Sequence, residues 1–320
     1  MMVIYHHTAG PWLVRRLTEL DGEAGLDVVV VAPDDHQGLR AALADADVVW
    51  HVLEPMTAAF IEAAPRLRLI QKIGVGVNTI DVGVATARGI AVCNMPGTNS
   101  RAVAEMALAL MLGCLRRLAW FHDRTRTGRG WDVPAAVPEG CLELGGRTVG
   151  LVGYGGIPRI LAPILVALGA RVLYTATSPK ADAVGEWRGL PRLLAESDIV
   201  SLHVPLTDDT AGMLDRQALM LMKPGAILIN TGRGEVVDQP ALVEVLRSGH
   251  LAAAGLDVFA REPVAPDDRI LGLDNVVLAP HVAWQTRETL ERSLLVATEN
   301  CRRLRSGEPL LHQVNLIGDW

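Results

Sequence analysis

Three side chains with complementary chemistry follow apolar segments in the second half of the chain: Arg233, Glu262 and His281. An arginine can bind a carboxylate bidentately and polarise an adjacent carbonyl. A histidine can donate or accept the proton that accompanies hydride transfer. A nearby glutamate favours the imidazolium form of the histidine and orients its ring. Together the three residue types indicate a site that acts on a carbonyl beside a carboxylate.

The elements that must position these side chains are predicted strands. From Thr148 onward, strand and helix patterns alternate. The predicted strands lie at Val149–Val152, Arg171–Thr175, Ile199–His203, Ala226–Asn230, Ala253–Asp257 and Val276–Leu278. In an open parallel sheet the ligand crevice lies beyond the carboxyl ends of the strands. We therefore expect the loops that carry the three side chains to converge at one edge of this sheet.

A glycine-rich turn follows the first of these strands and opens a helical pattern that ends at Gly169. Its residues are Gly153, Tyr154, Gly155, Gly156, Ile157 and Pro158. Glycines allow a tight turn and close backbone approach, and the N-terminus of the helix can face a pyrophosphate. Pro158 replaces the last small residue of G-x-G-x-x-G, but a proline in the first helical turn removes no needed donor. Pro163 lies inside the same helix and should kink it. The context predicts dinucleotide binding, with a purely structural turn as the alternative.

The strand after this helix determines the choice of cofactor. An NAD site usually ends that strand with Asp or Glu, which binds the ribose 2′-hydroxyl. No carboxylate follows Tyr174 within the run to Lys180. Thr177, Ser178 and Lys180 could instead hold a 2′-phosphate by hydrogen bonds and charge, and Thr175 is a further candidate for cofactor binding. The sequence therefore favours NADP over NAD, with a solvated polar loop as the alternative interpretation.

The N-terminal segment repeats the strand and helix alternation and so predicts a second parallel sheet. Its strands are predicted at Val3–Tyr5, Val28–Val31, Val48–Trp50, Leu69–Ile70 and Ile90–Cys93, with helices at Pro11–Leu20 and Thr57–Ala64. A long helix is predicted at Arg101–Trp120, then an irregular stretch from Arg124 to Gly140, and a last helix at Thr286–Ser306. We predict an α/β fold of two Rossmann-like or flavodoxin-like parallel-sheet domains with an active-site cleft between them. Residues 1–98 and 286–320 form the predicted substrate domain, and residues 99–285 form the predicted dinucleotide-binding domain.

Composition narrows the possible partners. The chain has 320 residues and a formal net charge of -6 at pH 7, so it lacks the positive field that nucleic acids or anionic membranes usually require. No apolar run is long enough to span a membrane or to form a signal peptide. Its four cysteines are Cys93, Cys114, Cys141 and Cys301. They form no C-x-x-C pair and have no histidine at zinc-ligand spacing. We expect a cytoplasmic protein with reduced thiols, no metal and no nucleic-acid or membrane partner.

Three histidines follow predicted strands of the N-terminal sheet: His6, His7 and His51. Side chains at these strand ends could reach a substrate. The alternative, which we favour, is that they are exposed polar side chains without a functional role.

The motifs of the whole chain resemble the D-isomer-specific 2-hydroxyacid dehydrogenase family nearly from end to end. The matching segments, besides the glycine-rich turn, are Gly89–Asn94, Ala102–Glu105, His203–Thr207, Met222–Ala226, Asn230–Gly234, Gly255–Phe259, Glu262–Pro263 and Pro280–His281. That family includes glyoxylate and hydroxypyruvate reductases, phosphoglycerate dehydrogenases, and formate and phosphite dehydrogenases.

The resemblance implies roles for individual residues. Arg233 would bind the substrate carboxylate and carbonyl, His281 would be the acid/base, and Glu262 would tune His281. Backbone amides at Val75 and Gly76 would hold the substrate carboxylate. Further residues would contact the cofactor, namely Pro205, Thr231, Gly232 and Asp257. The resemblance also implies that the long helix near residue 101 helps to form a homodimer.

Two features indicate a branch within the family. The run from Tyr174 to Lys180 looks like that of the NADPH-using glyoxylate and hydroxypyruvate reductases. Trp284, just after His281, looks like an aromatic wall for a polar substrate, although a tryptophan beside a cleft can equally be packing. The leading hypothesis is an NADP-preferring reductase of small 2-oxo acids. The alternatives are a nucleotide-sensing, corepressor-like binding protein and a phosphite dehydrogenase.

Overall fold

The computed structural model describes residues 1–317, apart from the side chains of Asp21 and Glu23, and it divides into two compact units. Unit 1 contains Met1–Asn99 and the segment from Thr286 onward, and unit 2 contains Ser100–Gln285. Asn99, which we assigned to the second domain, therefore lies in unit 1. Each unit is built on one parallel sheet with helices around it, so the predicted α/β class with two parallel-sheet domains is confirmed.

The sheet of unit 1 has five parallel strands in the order β2-β1-β3-β4-β5. Its strands are β1 (Met2–His6), β2 (Asp27–Val31), β3 (Val48–His51), β4 (Leu69–Lys72) and β5 (Ala91–Cys93). Its helices are α1 (Pro11–Ala24), α2 (His36–Leu43), α3 (Ala58–Glu62), α4 (Val82–Ala87) and α12 (Arg287–Ser306), the last helix of the chain. Every residue of β3, β4 and β5 is buried, as expected for parallel strands covered on both faces.

The sheet of unit 2 has seven parallel strands in the order β12-β11-β10-β9-β6-β7-β8. The strands are β6 (Thr148–Val152), β7 (Arg171–Thr175), β8 (Glu186–Trp187), β9 (Ile199–Leu202), β10 (Ala226–Asn230), β11 (Leu251–Leu256) and β12 (Val276–Leu278). The helices are α5 (Ser100–Leu115), α6 (Leu118–Arg126), α7 (Ala136–Glu139), α8 (Gly156–Ala167), α9 (Leu190–Glu196), α10 (Arg216–Leu221) and α11 (Gln239–Arg247).

Strand β10 shows why helices cover both faces of this sheet. Ile227 and Ile229 belong to an apolar cluster with residues of α5 and α8, whereas Leu228 belongs to a second cluster with residues of α9 and α11. Successive side chains of a strand point to opposite faces. The apolar run of β10 therefore packs against two separate helix layers, and the carboxyl end of the strand remains available for a site.

Two helix predictions need correction or refinement. The long helix predicted at Arg101–Trp120 is two helices, because Arg117 adopts a left-handed conformation (φ 51°) that ends one and begins the other. Helix α8 continues through Pro163 as one element. The last helix begins where expected, since Thr286 caps it by accepting a hydrogen bond from the Thr289 amide at 3.1 Å.

Within residues 1–317, no helix is long and apolar enough to cross a membrane, and no group of three or more His, Cys, Asp or Glu residues is placed to hold a metal ion. All four cysteines are free thiols. Burial raises the pKa of three of these thiols, at Cys93, Cys114 and Cys301, to about 12.

Candidate active site

The carboxyl ends of β10, β11 and β12 lie side by side, because Asn230 pairs with Leu256 and Leu256 pairs with Leu278. The loops that begin there carry Arg233, Glu262 and His281. This register explains how residues far apart in the sequence reach one edge of the unit 2 sheet.

His281 and Glu262 form a close pair. The Nδ1 atom of His281 lies 2.6 Å from Oε2 of Glu262, and Oε1 of Glu262 accepts a hydrogen bond from the Phe259 amide at 3.0 Å. The side chains of His281 and Glu262 are 19% and 33% exposed. Burial opposes ionisation of Glu262, but the hydrogen bond and charge of His281, with the Phe259 amide and Arg233, outweigh it and lower the pKa of Glu262. The pair therefore holds an ionised carboxylate against one ring nitrogen and leaves Nε2 for chemistry.

The backbone of His281 is held in an unusual conformation by Asp257. His281 has a φ of 56°, a left-handed value that is uncommon for a residue with a Cβ. Its amide donates to the Asp257 carbonyl at 2.7 Å. The two carboxylate oxygens of Asp257 accept hydrogen bonds from the amides of Val282 and Ala283 at 2.9 and 3.0 Å. Asp257 thus fixes the turn that presents the His281 ring.

Asp257 is only 1% exposed. Burial raises its pKa, against the lowering effect of the Ala283 and Val282 amides. The structure gives this carboxylate a role in holding the His281 turn, which the sequence analysis missed. Its contact with the cofactor stays a prediction.

Arg233 lies in a loop closed by the side chain of Asn230. The amide group of Asn230 donates to the Arg233 carbonyl at 2.9 Å and its oxygen accepts from the Gly232 amide at 3.0 Å. Burial lowers the pKa of the Arg233 guanidinium, while the charges of Glu235 and Glu262 oppose this shift. Arg233 and Glu262 are therefore close enough to interact electrostatically.

Gly234 lets the loops of Arg233 and Glu262 meet. A Cβ at this position would overlap the carbonyl group of Phe259. Asn230 and Gly234 were quoted only as parts of a motif, and their positioning roles become visible once the loops are seen together.

Trp284 is 8% exposed, and its indole N–H donates to the His281 carbonyl at 3.1 Å. This hydrogen bond further stabilises the turn at His281 that Asp257 also holds. The predicted contact between Trp284 and a substrate stays a prediction.

The glycine-rich turn between β6 and α8 contains glycines of two kinds. Gly153 has a φ of 97°, and a Cβ there would lie 2.6 Å from the His203 carbonyl oxygen, so the fold itself requires this glycine. Gly155 is different, since within the described residues no atom beyond Gly155 and its two chain neighbours lies within 4 Å of the position of a Cβ there. Gly155 precedes α8 without a side-chain cap, and Pro158 lies in the first turn as predicted. The amides of Gly156 and Ile157 at this N-terminus suit a phosphate.

Two buried polar atoms near these strand ends have no hydrogen-bond partner in the described chain: Oγ1 of Thr231, directly after β10, and Nδ1 of His203, directly after β9. Buried polar atoms are normally hydrogen-bonded. Together with the open space at Gly155, they fit a bound dinucleotide. Pro205, another predicted cofactor residue, is exposed in the loop after β9.

The predicted 2′-phosphate loop after β7 is tethered by two tyrosines. The hydroxyl of Tyr174 accepts from the Lys180 amide at 2.8 Å, and the hydroxyl of Tyr154 accepts from the Val184 amide at 2.7 Å. The two rings are in contact, with centroids 4.5 Å apart and planes tilted by 46°. Sequence analysis predicted Tyr154 as a cofactor-binding residue of the glycine-rich turn and missed this tether.

Polar side chains of this loop remain accessible. Thr177 and Ser178 are exposed, Thr175 and Lys180 are half-buried, and Nζ of Lys180 lies 3.4 Å from Oγ of Ser178. The loop therefore brings a hydroxyl and an ammonium group together.

The loop after β4 in unit 1 contains Val75 and Gly76. Val75 is 45% exposed. The carbonyl of Gly74 accepts from the Met95 amide at 2.8 Å, and the carbonyl of Val75 accepts from the side chain of Asn94 at 2.9 Å. These bonds hold one side of the loop.

The expectation that His6, His7 and His51 are exposed is wrong. His6 is 5% exposed, His51 is fully buried, and His7 is half-buried. For His51 the reason is that both ring nitrogens are covered, because Nε2 lies 2.5 Å from the Glu54 carbonyl oxygen and Nδ1 lies 3.5 Å from Nζ of Lys72 on β4. Burial lowers the pKa of all three rings, that of His51 to about 3.

Comparison with known proteins decides the family. A family model described as D-isomer specific 2-hydroxyacid dehydrogenase, NAD binding domain, matches residues 108–283. The chain belongs to this family. The predicted enzyme class, an NAD(P)-dependent D-2-hydroxyacid dehydrogenase, is thereby confirmed.

Several relatives of this dehydrogenase are similar over most of their length. It is 42% identical to a glyoxylate reductase from Korarchaeum cryptofilum over 284 residues, which is 87% of this chain and 85% of that protein. It is 40% identical to a hydroxypyruvate reductase from Thermotoga maritima over 240 residues, 74% of this chain and 77% of that protein. The crystal structure of the TT0316 protein from Thermus thermophilus superimposes with a TM-score of 0.87 at 36% identity, covering 98% of this chain and 100% of that one.

Proposed function

We propose that this dehydrogenase reduces small 2-oxo acids, such as glyoxylate or hydroxypyruvate, with NADPH as the preferred hydride donor. The observation that carries the proposal is the 2.6 Å pair of His281 and Glu262 at the sheet edge that also holds Arg233. The similarity to a glyoxylate reductase and a hydroxypyruvate reductase supports this choice of substrate class.

The three side chains divide the chemistry of carbonyl reduction. A bound reduced nicotinamide supplies the hydride that forms the new C–H bond at the carbonyl carbon. Arg233 binds the substrate carboxylate and polarises the carbonyl. His281 donates the Nε2 proton to the carbonyl oxygen, which becomes the hydroxyl, and Glu262 stabilises the imidazolium before this transfer.

We assign the two units different ligands. Unit 2 binds the dinucleotide through the amides at the start of α8 and through Thr231, and unit 1 provides the Val75 and Gly76 amides for the substrate carboxylate. A homodimer and a cytoplasmic location, both expected from the sequence, are part of the same proposal.

The preference for NADPH rests on the loop after β7. Lys180 and Ser178 lie within reach of each other and can share an anionic ligand. The first carboxylate after the strand is Asp182, and this side chain forms an ion pair with Arg159 on α8. No carboxylate is thus placed at the strand end, where it would repel a 2′-phosphate.

The test is the loss of reduced-nicotinamide absorbance with purified protein. NADPH and NADH are compared across glyoxylate, hydroxypyruvate, pyruvate and 2-oxobutyrate. We expect turnover with at least one of these acids and a higher kcat/KM with NADPH. A preference for NADH would contradict the cofactor assignment alone. Cofactor binding without turnover of any 2-oxo acid would contradict the reductase assignment.

A further inference from the structure

The loop after β4 is held through two of its carbonyl groups. The carbonyls of Gly74 and Val75 accept hydrogen bonds from the Met95 amide and the Asn94 side chain. A trans peptide unit is planar, with its C=O and N–H groups pointing in opposite directions. Fixing the carbonyl of Gly74 therefore orients the Val75 N–H, and fixing the carbonyl of Val75 orients the Gly76 N–H. Both N–H groups therefore point away from Asn94 and Met95, the residues after β5 that hold the two carbonyls.

These amides are not used by the protein itself. In the part of the chain that the structure describes, the N–H groups of Val75 and Gly76 donate to no protein acceptor. Val75 is also exposed and Gly76 is half-buried, so this part of the loop reaches the surface of unit 1. Adjacent backbone N–H groups that point the same way form an anion-binding concavity. The loop thus has the form of a cradle for an oxyanion such as a carboxylate.

The backbone of Asn94, whose side chain orients one of these amides, is itself anchored. The backbone N–H of Asn94 donates to the His312 carbonyl at 3.1 Å, and the backbone carbonyl of Asn94 accepts from the side chain of Gln71 at 3.4 Å. Gln71 is fully buried and accepts from Asn300 of α12 at 2.6 Å. A chain of hydrogen bonds therefore runs from the last helix to the cradle. It restricts the position from which Asn94 reaches Val75.

We propose that Asn94 is a positioning residue for the substrate carboxylate, acting through the Val75–Gly76 peptide unit. The inference rests on the proposed function, since it assumes that the carboxylate of a 2-oxo acid binds these amides. Asn94 touches neither substrate nor cofactor in this scheme. It fixes the direction of a donor that does.

The experiment compares the Asn94→Ala variant with wild type on two substrates that differ only in the carboxylate. These are the 2-oxo acid that wild type reduces best and the methyl ester of that acid. The variant keeps both backbone hydrogen bonds of residue 94 but loses the hold on the Val75 carbonyl. We expect the KM for the acid to rise about tenfold with kcat little changed, because the cradle binds ground state and transition state alike. The kcat/KM for the neutral ester should stay within about twofold of wild type.

Asn275→Ala is the matched control. The side chain of Asn275 also donates to backbone carbonyls, those of Leu246 and Ala252, but it lies in unit 2. This control should leave both substrates unaffected. Equal losses on acid and ester in Asn94→Ala would show a general structural role and overturn the proposal. No loss on the acid would overturn it as well.

A binding measurement separates this inference from the proposed reaction. In protein labelled with ¹⁵N-glycine, oxamate should shift the Gly76 amide resonance of wild type, and this shift should be lost or much weaker in Asn94→Ala. The titration needs no turnover, so an inactive wild type would contradict the proposed function and still test Asn94. Absence of any Gly76 shift in wild type, or an unchanged shift in the variant, would overturn the role of Asn94.

Discussion

The carboxyl edges of the two sheets present different kinds of chemical groups. The edge of the unit 2 sheet presents ionisable side chains, with His281 bound to Glu262 at 2.6 Å and its turn held by Asp257. The edge of the unit 1 sheet presents backbone amides at Val75 and Gly76, whereas its histidines are turned inward. His6 and His51 are at least 95% buried.

The difference follows from what each task requires. Proton transfer needs a side chain that can bind and release a proton, and histidine is the residue type most often used for it. Holding a carboxylate needs donors whose charge does not vary with pH, which backbone amides provide. Burial lowers the pKa of His6 and His51, so these rings stay neutral at pH 7 and add no competing titration.

The largest effect should come from removing the proton donor of unit 2. His281→Ala is expected to lower kcat roughly a hundred- to ten-thousandfold, the usual contribution of a general acid. Cofactor binding should persist, because the α8 N-terminus and Thr231 are untouched. Steady-state kinetics and a titration of protein fluorescence with NADPH measure the two quantities. His122→Ala, at an exposed position of α6, is the control. Retained activity in His281→Ala would refute the assignment.

The next effect should come from neutralising the partner of His281. Glu262→Gln keeps an acceptor for the Phe259 amide but removes the charge that stabilises an imidazolium. We expect the kcat for reduction at pH 7 to fall about ten- to a hundredfold. Reduction needs the charged ring, so the pH optimum of reduction should move to lower pH. The kcat of the reverse oxidation should fall by a smaller factor. Equal losses in both directions with an unchanged pH profile would mean that Glu262 only shapes the loop.

The sequence was sufficient to predict the chemistry of the unit 2 edge. Arg233, Glu262 and His281 each follow an apolar strand, and parallel strands bring their carboxyl ends together. It could not reveal that Asp257 holds the His281 turn. That role depends on the left-handed backbone of His281 and on amides about 25 residues further along the chain.

Predictions failed where the outcome depends on tertiary context. His51 is buried because the Glu54 carbonyl and the ammonium group of Lys72 lie against its two ring nitrogens, and chain order does not show these contacts. The break in the predicted long helix lies at Arg117, a residue type that carries no turn signal. Glycine or proline would have marked it.

A smaller effect should separate NADPH from NADH at the unit 2 edge. Lys180→Ala removes the only ammonium group between β7 and Val184, the partner of Tyr154. We expect the KM for NADPH to rise about tenfold, as for the loss of one charge-assisted hydrogen bond, with the KM for NADH unchanged. Lys223→Ala, which breaks an ion pair with Asp198 elsewhere in unit 2, is the control. A parallel rise for both cofactors would show that Lys180 does not recognise the 2′-phosphate.

The smallest expected effect is a difference between the two units in the loss of stability in mild acid, and it is caused by the buried histidines. A ring whose folded-state pKa is lowered stays neutral, while the same ring in the unfolded chain takes up a proton below its ordinary pKa of 6.5. The contribution of each such ring to the free energy of unfolding is therefore fully present above pH 6.5. It falls as the pH drops, by up to about 1.4 kcal/mol per pH unit for each ring. Unit 1 contains three histidines with a lowered pKa, namely His6, His7 and His51, whereas the corresponding histidine of unit 2 is His203, whose pKa is about 3. Since the pKa values of His51 and His203 are similar, the additional loss of stability expected for unit 1 comes from His6 and His7.

Hydrogen exchange measured by mass spectrometry at pH 7.5 and pH 5.5, corrected for intrinsic rates, tests this comparison. Peptides from β1 to β5 should lose protection a few-fold more than peptides from β6 to β12. At pH 5.5 most carboxylates remain ionised, so the histidines dominate the difference. An equal loss in both units, or a greater loss in unit 2, would show that the buried rings of unit 1 do not govern its response to acid.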